Sequence, residues 1–232
     1  TETIRANLEA KYGLDRPVFP DQYVIYLKNI ATLDFGLSFT QQNRRVNDII
    51  ADAFPVSAQL GVLAILFAAA GGILFGALTA LTRNEWPDAL IMFLVILGIS
   101  VPNFVFAAFG QLALVNLNEL FGTTVLPVAG WGEFSHMLMP AMVLGLTTLA
   151  FLTRLMRSSM LEVLGTDYIR TARAKGAPPR RILWRHAVRN AVLPVITVLG
   201  PAIAAITTGG FVVELVFAIQ IGKASCRERV CH

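Results

Sequence analysis

The sequence predicts an all-α fold: a polytopic transmembrane helical bundle with an external N-terminal segment and a short helix in a cytoplasmic loop. Three observations lead there. Hydrophobic residues make up 55% of the chain and charged ones only 15%, where a soluble domain usually carries about 25% charged residues. The charge is unevenly spread, and four long runs are nearly free of it, the pattern of a chain partly solvated by lipid. The basic residues crowd into one interval between two of those runs. Buried helices of a large soluble protein are the competing reading, and four such runs in one chain weigh against it.

The N-terminal segment, residues 1–55, is polar at its start (TETIRANLEAKYGLDRP) and does not read as a signal peptide. It alternates helix-like runs, Ile4–Tyr12 and Val46–Ala53, with turn signals at Gly13–Pro17 and Pro20–Asp21. It therefore reads as folded.

A helix needs roughly 20 apolar residues to cross about 30 Å of hydrocarbon. The first candidate span is Val56–Leu81, with Gln59 its one strongly polar side chain and a Gly-xxx-Gly pair among Gly71, Gly72 and Gly76 that would let helices approach closely. The second, Ala89–Leu117, contains Pro102, which predicts a kink, either purely structural or beside a translocation path. The third is Met137–Leu155 and the fourth Ala191–Ile219, with Pro194 and Pro201 near its start. Together residues 56–219 form the predicted membrane domain.

Orientation follows from the basic residues. The interval 154–189 holds nine of them (Arg154, Arg157, Arg170, Arg173, Lys175, Arg180, Arg181, Arg185 and Arg189) against Glu162 and Asp167, a net of +7. This loop is placed in the cytoplasm. Asn118–His136 has no Lys or Arg and is placed outside, which puts Arg83–Asp88 inside and residues 1–55 outside. An external segment of that length calls for an exporting helix upstream. With a further helix expected after Ile219, the intact subunit is expected to have six spans, four of them in this chain.

Within the loop, Gly165 is suited to end the third span, and Thr166 or Asp167 to cap a new helix. Asp167–Lys175 then reads as a separate helix of nine residues, about 13 Å long, with Arg173 and Lys175 in its last turn and Gly176 as a left-handed stop. Pro178 and Pro179 open another helix that runs through Arg180–Arg189 to the fourth span. Ala172 and Ala174 leave room for a partner's surface. On physics alone the segment is either a docking element or a basic anchor. A nucleic-acid-binding helix-turn-helix fits the charge, but spans on both sides argue against it.

The stretch GTDYIRTARAKGAPPRRILWRHAVRNAVLPV, residues 165–195, resembles the signature EAA loop of binding-protein-dependent ABC transporter permeases. The matching positions are Arg170, Thr171 and Ala172, then Gly176, and later Leu193–Pro194. Arg170 and Thr171 stand where the general pattern has Glu and Ala, and the interval from Gly176 to Pro194 is longer than usual. Both departures resemble the oligopeptide, dipeptide and nickel branch. So do Tyr12–Pro17, Asp21–Tyr23, Asp34–Ser38, Gly98–Phe104, Leu126–Trp131 and Thr153–Met160.

The resemblance implies a permease subunit of an ATP-binding cassette importer in a bacterial or archaeal cytoplasmic membrane, moving peptides; nickel and glutathione systems share the same features. It implies a coupling helix that contacts an ATPase through Asp167, Tyr168, Arg170, Thr171, Ala172, Arg173, Lys175 and Gly176. The implied partners are two ATPase subunits, a second homologous permease subunit, an external substrate-binding protein and membrane lipid, with no nucleic acid. No cofactor is expected, and the subunit itself is not expected to be an enzyme: Gly222–Lys223 lacks the Ser/Thr and the earlier glycine of a phosphate-binding loop.

An ion-coupled secondary transporter is the alternative. Such proteins usually carry ionisable groups inside their spans, and here Glu214 is the exception, expected near the outer surface or in a helix–helix contact. After Ile219 the resemblance stops. The tail 220–232 holds both cysteines, Cys226 and Cys231, and is expected to be non-native. With His136, His186 and His232 scattered, neither a disulfide framework nor a metal cluster is predicted.

Overall fold

The computed structural model describes residues 17–36, 38, 44–209 and 211–219. The expected helix-like run Ile4–Tyr12, most of the Gly13–Pro17 turn and the tail 220–232 lie outside them. The described residues divide into two compact units, with the boundary between Val56 and Ser57. Among the described residues, helices and turns make up both, with one isolated bridge residue, Arg45, in the first.

In the first unit, a turn at Val18–Gln22 leads into α1, Tyr23–Ala31. Pro20–Asp21 therefore enters a helix that the sequence reading did not anticipate. Asp34–Phe35–Gly36 is a tight turn: the Gly36 N–H donates to Asp34 Oδ1 at 3.1 Å, with Gly36 at φ +77°. Asn47 then clips this turn to the start of the next helix. Its Oδ1 accepts the Phe35 N–H at 3.0 Å, and its amide donates to Leu33 O.

That next helix, α2, runs unbroken from Val46 to Leu81, 36 residues. The run Val46–Ala53 and the expected span Val56–Leu81 are thus one helix, with Pro55 inside it. The predicted second span is two helices, α3 (Trp86–Ser100) and α4 (Asn103–Phe121). Pro102 sharpens the expected kink into a break. Val101 is extended (φ −92°, ψ 130°), as a residue before proline prefers. Proline has no N–H to offer the carbonyl of Gly98 four residues back. Thr147 supplies the missing partner from another helix: its Oγ1 lies 3.2 Å from Gly98 O and 2.6 Å from Asn103 Oδ1. The break is thereby built into the packing.

α5 (Phe134–Leu164) is the central post, longer at both ends than the expected Met137–Leu155. It packs against α3, α4 and the last long helix, and Leu152, Met156 and Met160 on it are fully buried. α2 meets it through glycine. A Cβ on Gly72 would stand 2.6 Å from Leu152 Cβ, and one on Gly76 2.5 Å from Met156 Cβ and 2.7 Å from Thr153 O. After the loop, the short α7 (Pro179–Arg181) and a π-helical turn (Ile182–Val188) lead into α8 (Arg189–Gly209), with Pro194 and Pro201 inside; α9 is Phe211–Val216.

Among the described residues, four helical stretches are long and apolar enough to cross a membrane: Val46–Leu81, Asn103–Phe121, Phe134–Leu164 and Pro179–Ile206. Their outward surfaces carry large apolar side chains such as Phe104, Phe109 and Ile196, each more than half exposed. That surface suits lipid or a partner helix, where no water rewards polar groups.

Candidate functional site

α6, Asp167–Ala174, is a separate eight-residue helix between α5 and α7. Its joint with α5 is short and hydrogen-bonded: the Gly165 N–H donates to Glu162 O and the Thr166 N–H to Val163 O, both at 3.1 Å. Thr166 occupies the N-cap position, but its hydroxyl makes no cap. It turns back and donates to Val163 O at 2.6 Å. Thr therefore closes the end of α5 rather than the start of α6. Asp167 in the first turn provides the negative charge that suits the helix dipole there.

The other end is closed by glycine. Lys175 is the C-cap, one residue beyond the helix rather than in its last turn as expected. Gly176 has φ +75°. The Gly176 N–H donates to Arg173 O at 2.9 Å and the Ala177 N–H to Ala172 O at 3.2 Å, the two bonds of a Schellman stop. Pro178 and Pro179 then turn the chain into α7.

α6 is sharply two-faced. Ile169 is fully buried and Ala172 half-buried, while Asp167, Tyr168, Arg170, Thr171, Arg173, Lys175 and Gly176 are exposed. The helix packs on the π-helical turn, where Ile182 and Ala187 are buried. Tyr168 is tied as well as exposed: its hydroxyl accepts the Asn190 side-chain amide at 2.9 Å, and the same amide donates to His186 O at 3.0 Å. The Arg170–Asp167 pair, at 3.3 Å with side chains 73% and 93% exposed, adds little to stability. The structure thus gathers six of the sequence-predicted residues on one short helix, sets Lys175 and Gly176 at its C-terminal stop, and gives all but the half-buried Ala172 to the surface. Sequence reasoning passed over Ile169, which anchors that helix, although it is the one large aliphatic residue in the stretch 167–175.

A second feature joins the same end of the bundle. Asp88, in the first turn of α3, takes both prongs of Arg157 on α5, Nε to Oδ1 at 2.8 Å and Nη2 to Oδ2 at 2.7 Å. Their side chains are 8% and 24% exposed. No local sequence signal joins residues 69 apart. Towards the opposite end of α5, Gln111 on α4 donates to Val216 O at 2.9 Å, and the Gly130 N–H donates to Phe217 O at 3.1 Å. Glu214 is buried and accepts the Ser57 hydroxyl at 2.7 Å. Of its two expected settings, the helix–helix contact is the one observed.

Beside the α3–α4 break lies a cavity of about 330 Å³ lined by Phe67, Phe75, Ile91, Phe106 and Leu146 among others. Its wall is almost wholly apolar.

Spans of this length around a central helix, with one capped helix set between two of them, define a polytopic helical membrane protein. Residues 72–225 match the family described as binding-protein-dependent transport system inner membrane component, and the chain belongs to that family. It is 48% identical to the dipeptide transport system permease protein of Bacillus subtilis (strain 168), over 96% of this chain and 70% of that one. It is 44% identical to the oligopeptide transport system permease protein of Haemophilus influenzae, over 93% of this chain and 69% of that one. The oligopeptide transport system permease protein of Escherichia coli (strain K12) is 41% identical, with the same two coverages.

Proposed function

We propose that this chain is the permease subunit of an ATP-binding cassette importer that carries peptides across a bacterial or archaeal cytoplasmic membrane. Membership of the inner-membrane component family supports the transport role. The dipeptide and oligopeptide systems of its relatives support peptides as cargo. The observation that carries the energy coupling is α6: a helix stopped at Gly176, held from below by Ile169, and presenting Asp167, Tyr168, Arg170, Thr171, Arg173 and Lys175 outward. Ala172, small and half-buried, lets a partner surface come close.

In this reading ATP is bound and hydrolysed on two separate ATPase subunits. Their closure displaces α6, and α6 moves the spans in alternating access. A second, homologous permease subunit shares the path, and an external substrate-binding protein delivers the peptide. Residues 1–55 are an external segment, 56–219 the permease domain and 154–189 its cytoplasmic loop.

The test is uptake of a labelled peptide by proteoliposomes holding the assembled importer. Uptake is expected to require ATP and the binding protein, and to survive collapse of ion gradients by ionophores. Uptake driven by a proton or sodium gradient without ATP would instead favour a secondary transporter.

The topology has its own test. With Cys226 and Cys231 replaced by serine, a cysteine at Ile30 is expected to react with an impermeant maleimide added to intact cells, and one at Lys175 only after lysis. The motive is the +7 count of residues 154–189 against the Lys- and Arg-free interval 118–136. The reverse labelling pattern would refute the placement.

A further inference from the structure

We infer that Asp88 and Arg157 are positioning residues that lock the α2–α3 hairpin to α5, so that a displacement of α6 moves the hairpin and the central post as one block. The inference rests on the reading of α6 as the helix that receives the ATPase.

The pair is built to transmit position. A guanidinium fork on a carboxylate fixes an angle as well as a distance, which a point charge does not. Both prongs are made here, at 2.8 and 2.7 Å, and the Asp88 side chain is only 8% exposed. Retaining Arg157 on the cytoplasmic side would need no buried partner; charge alone serves that purpose.

Asp88 also organises the hairpin itself. Its Oδ2 accepts the Asn84 N–H at 3.1 Å, and Asn84 stands at φ +65°. The same turn is closed by Glu85 N–H to Thr82 O at 2.9 Å and by the Thr82 hydroxyl to Leu78 O at 2.9 Å. One carboxylate therefore holds both the turn between α2 and α3 and the α5 helix.

A second observation puts the same elements in register. One residue before Arg157, Met156 is fully buried against α2, where Gly76 leaves no room for a side chain. Glycine contact from α2 and the ion pair from α3 thus grip α5 at one level.

From that level the path to α6 is short and stiff. α5 continues unbroken from Arg157 to Leu164, about 10 Å of helix. Gly165 and Thr166 form the hydrogen-bonded joint, and Asp167 opens α6. A push on α6 reaches Arg157 through a continuous helix, and Arg157 hands it to α3 through two charge-assisted bonds. Without the fork, the hairpin would keep its apolar contacts with α5 and, near the far end of α3, the Thr147–Gly98 hydrogen bond, none of which holds α3 at the level of Arg157.

The experiment uses the assembled importer in proteoliposomes and reads peptide taken up per ATP hydrolysed, alongside the ATPase subunits retained on purification. Asp88→Asn and Arg157→Lys are expected to retain the ATPase subunits and to keep hydrolysing ATP. Uptake per ATP is expected to fall at least about 5-fold in Asp88→Asn, the lower edge of couplings between sites, and less in Arg157→Lys, which keeps the charge but loses the fork. The double variant Asp88→Asn with Arg157→Lys is expected to lose no more uptake per ATP than Asp88→Asn alone, as for two residues that act through one contact; a loss equal to the product of the two single losses overturns the inference. Unchanged uptake per ATP in Asp88→Asn overturns the inference, whatever the yield, because the pair would then be only a structural staple. Loss of the ATPase subunits from both single variants overturns it as well, since the pair would then shape the docking surface itself. The docking reading of α6 fails on a different readout: full retention of ATPase subunits together with normal uptake by a Gly176→Val protein.

Discussion

Gly176→Val is expected to leave the subunit inserted in the membrane while weakening its hold on the ATPase subunits about 5- to 30-fold and abolishing peptide uptake. The argument is conformational. Gly176 has φ +75°, and a Cβ built there meets nothing within 4 Å. The space is open, so the cost falls on the backbone. A β-branched residue in the left-handed region costs about 1–2 kcal/mol, which is the 5- to 30-fold factor given. Relief of that strain would break the two bonds to Ala172 O and Arg173 O that stop α6, and every exposed side chain on the helix would lose its register against the partner. Insertion is set by the apolar spans, which the change does not touch. Gly176→Asn is the control, because asparagine tolerates the left-handed region and should retain most of the uptake. Co-purification of the ATPase subunits, read beside transport, decides the matter. Normal attachment and normal uptake in the valine protein would reduce residues 165–189 to a charged anchor.

The contrast between α6 and its surroundings marks what a sequence can say. Gly176 was legible because only glycine takes a positive φ cheaply, so a glycine after a basic turn reads as a stop. Thr166 or Asp167 is the expected cap; Thr166 does take the N-cap position, but its hydroxyl makes no bond to α6. A threonine at a helix–helix joint can close the helix behind it or the one ahead, and the hydrogen bond to Val163 O chose the former. Ile169 was passed over because its role depends on burial against a turn that contains Ile182 and Ala187, more than ten residues on.

The spans behave in the same way. Their existence is local chemistry, since a long apolar helix satisfies its own backbone hydrogen bonds in lipid. Their limits are not. The expected first span begins at Val56, yet α2 begins at Val46 and passes through Pro55. Pro102 foretold a bend, but its depth depends on Thr147, 49 residues from Gly98, which takes over the carbonyl that the proline abandons. Asp88 and Arg157 are an acid and a base at the ends of two spans in the sequence, and one fork in the fold. Long-range pairing of this kind leaves no periodicity to read.

The glycines of α2 give the second large effect, and a graded one. Gly76→Leu is expected to separate α2 from α5 and sharply lower the yield of assembled subunit, while Gly71→Ala is expected to be nearly silent. Both positions look alike in sequence, in one apolar run and five residues apart. In the structure they face different obstacles. A Cβ at Gly71 comes within 2.6 Å of Leu149 Cδ1, the free end of a side chain that can rotate away. At Gly76 it comes within 2.5 Å of Met156 Cβ and 2.7 Å of Thr153 O. Those atoms belong to, or are fixed directly to, the α5 backbone and cannot yield unless a whole helix moves. Overpacking a tight contact costs about 1–3 kcal/mol, and more where backbone must shift. Here the shift would also pull α2 off the buried Leu152–Met156 face that anchors the centre of the bundle. In lipid, close packing through small residues is a principal force between helices, and little else would compensate. The measurement is the amount of each variant recovered as a monodisperse detergent-solubilised protein, with its thermal midpoint. Equal recovery and equal midpoints for Gly76→Leu and the unaltered protein would show that α2 and α5 do not meet at Gly76.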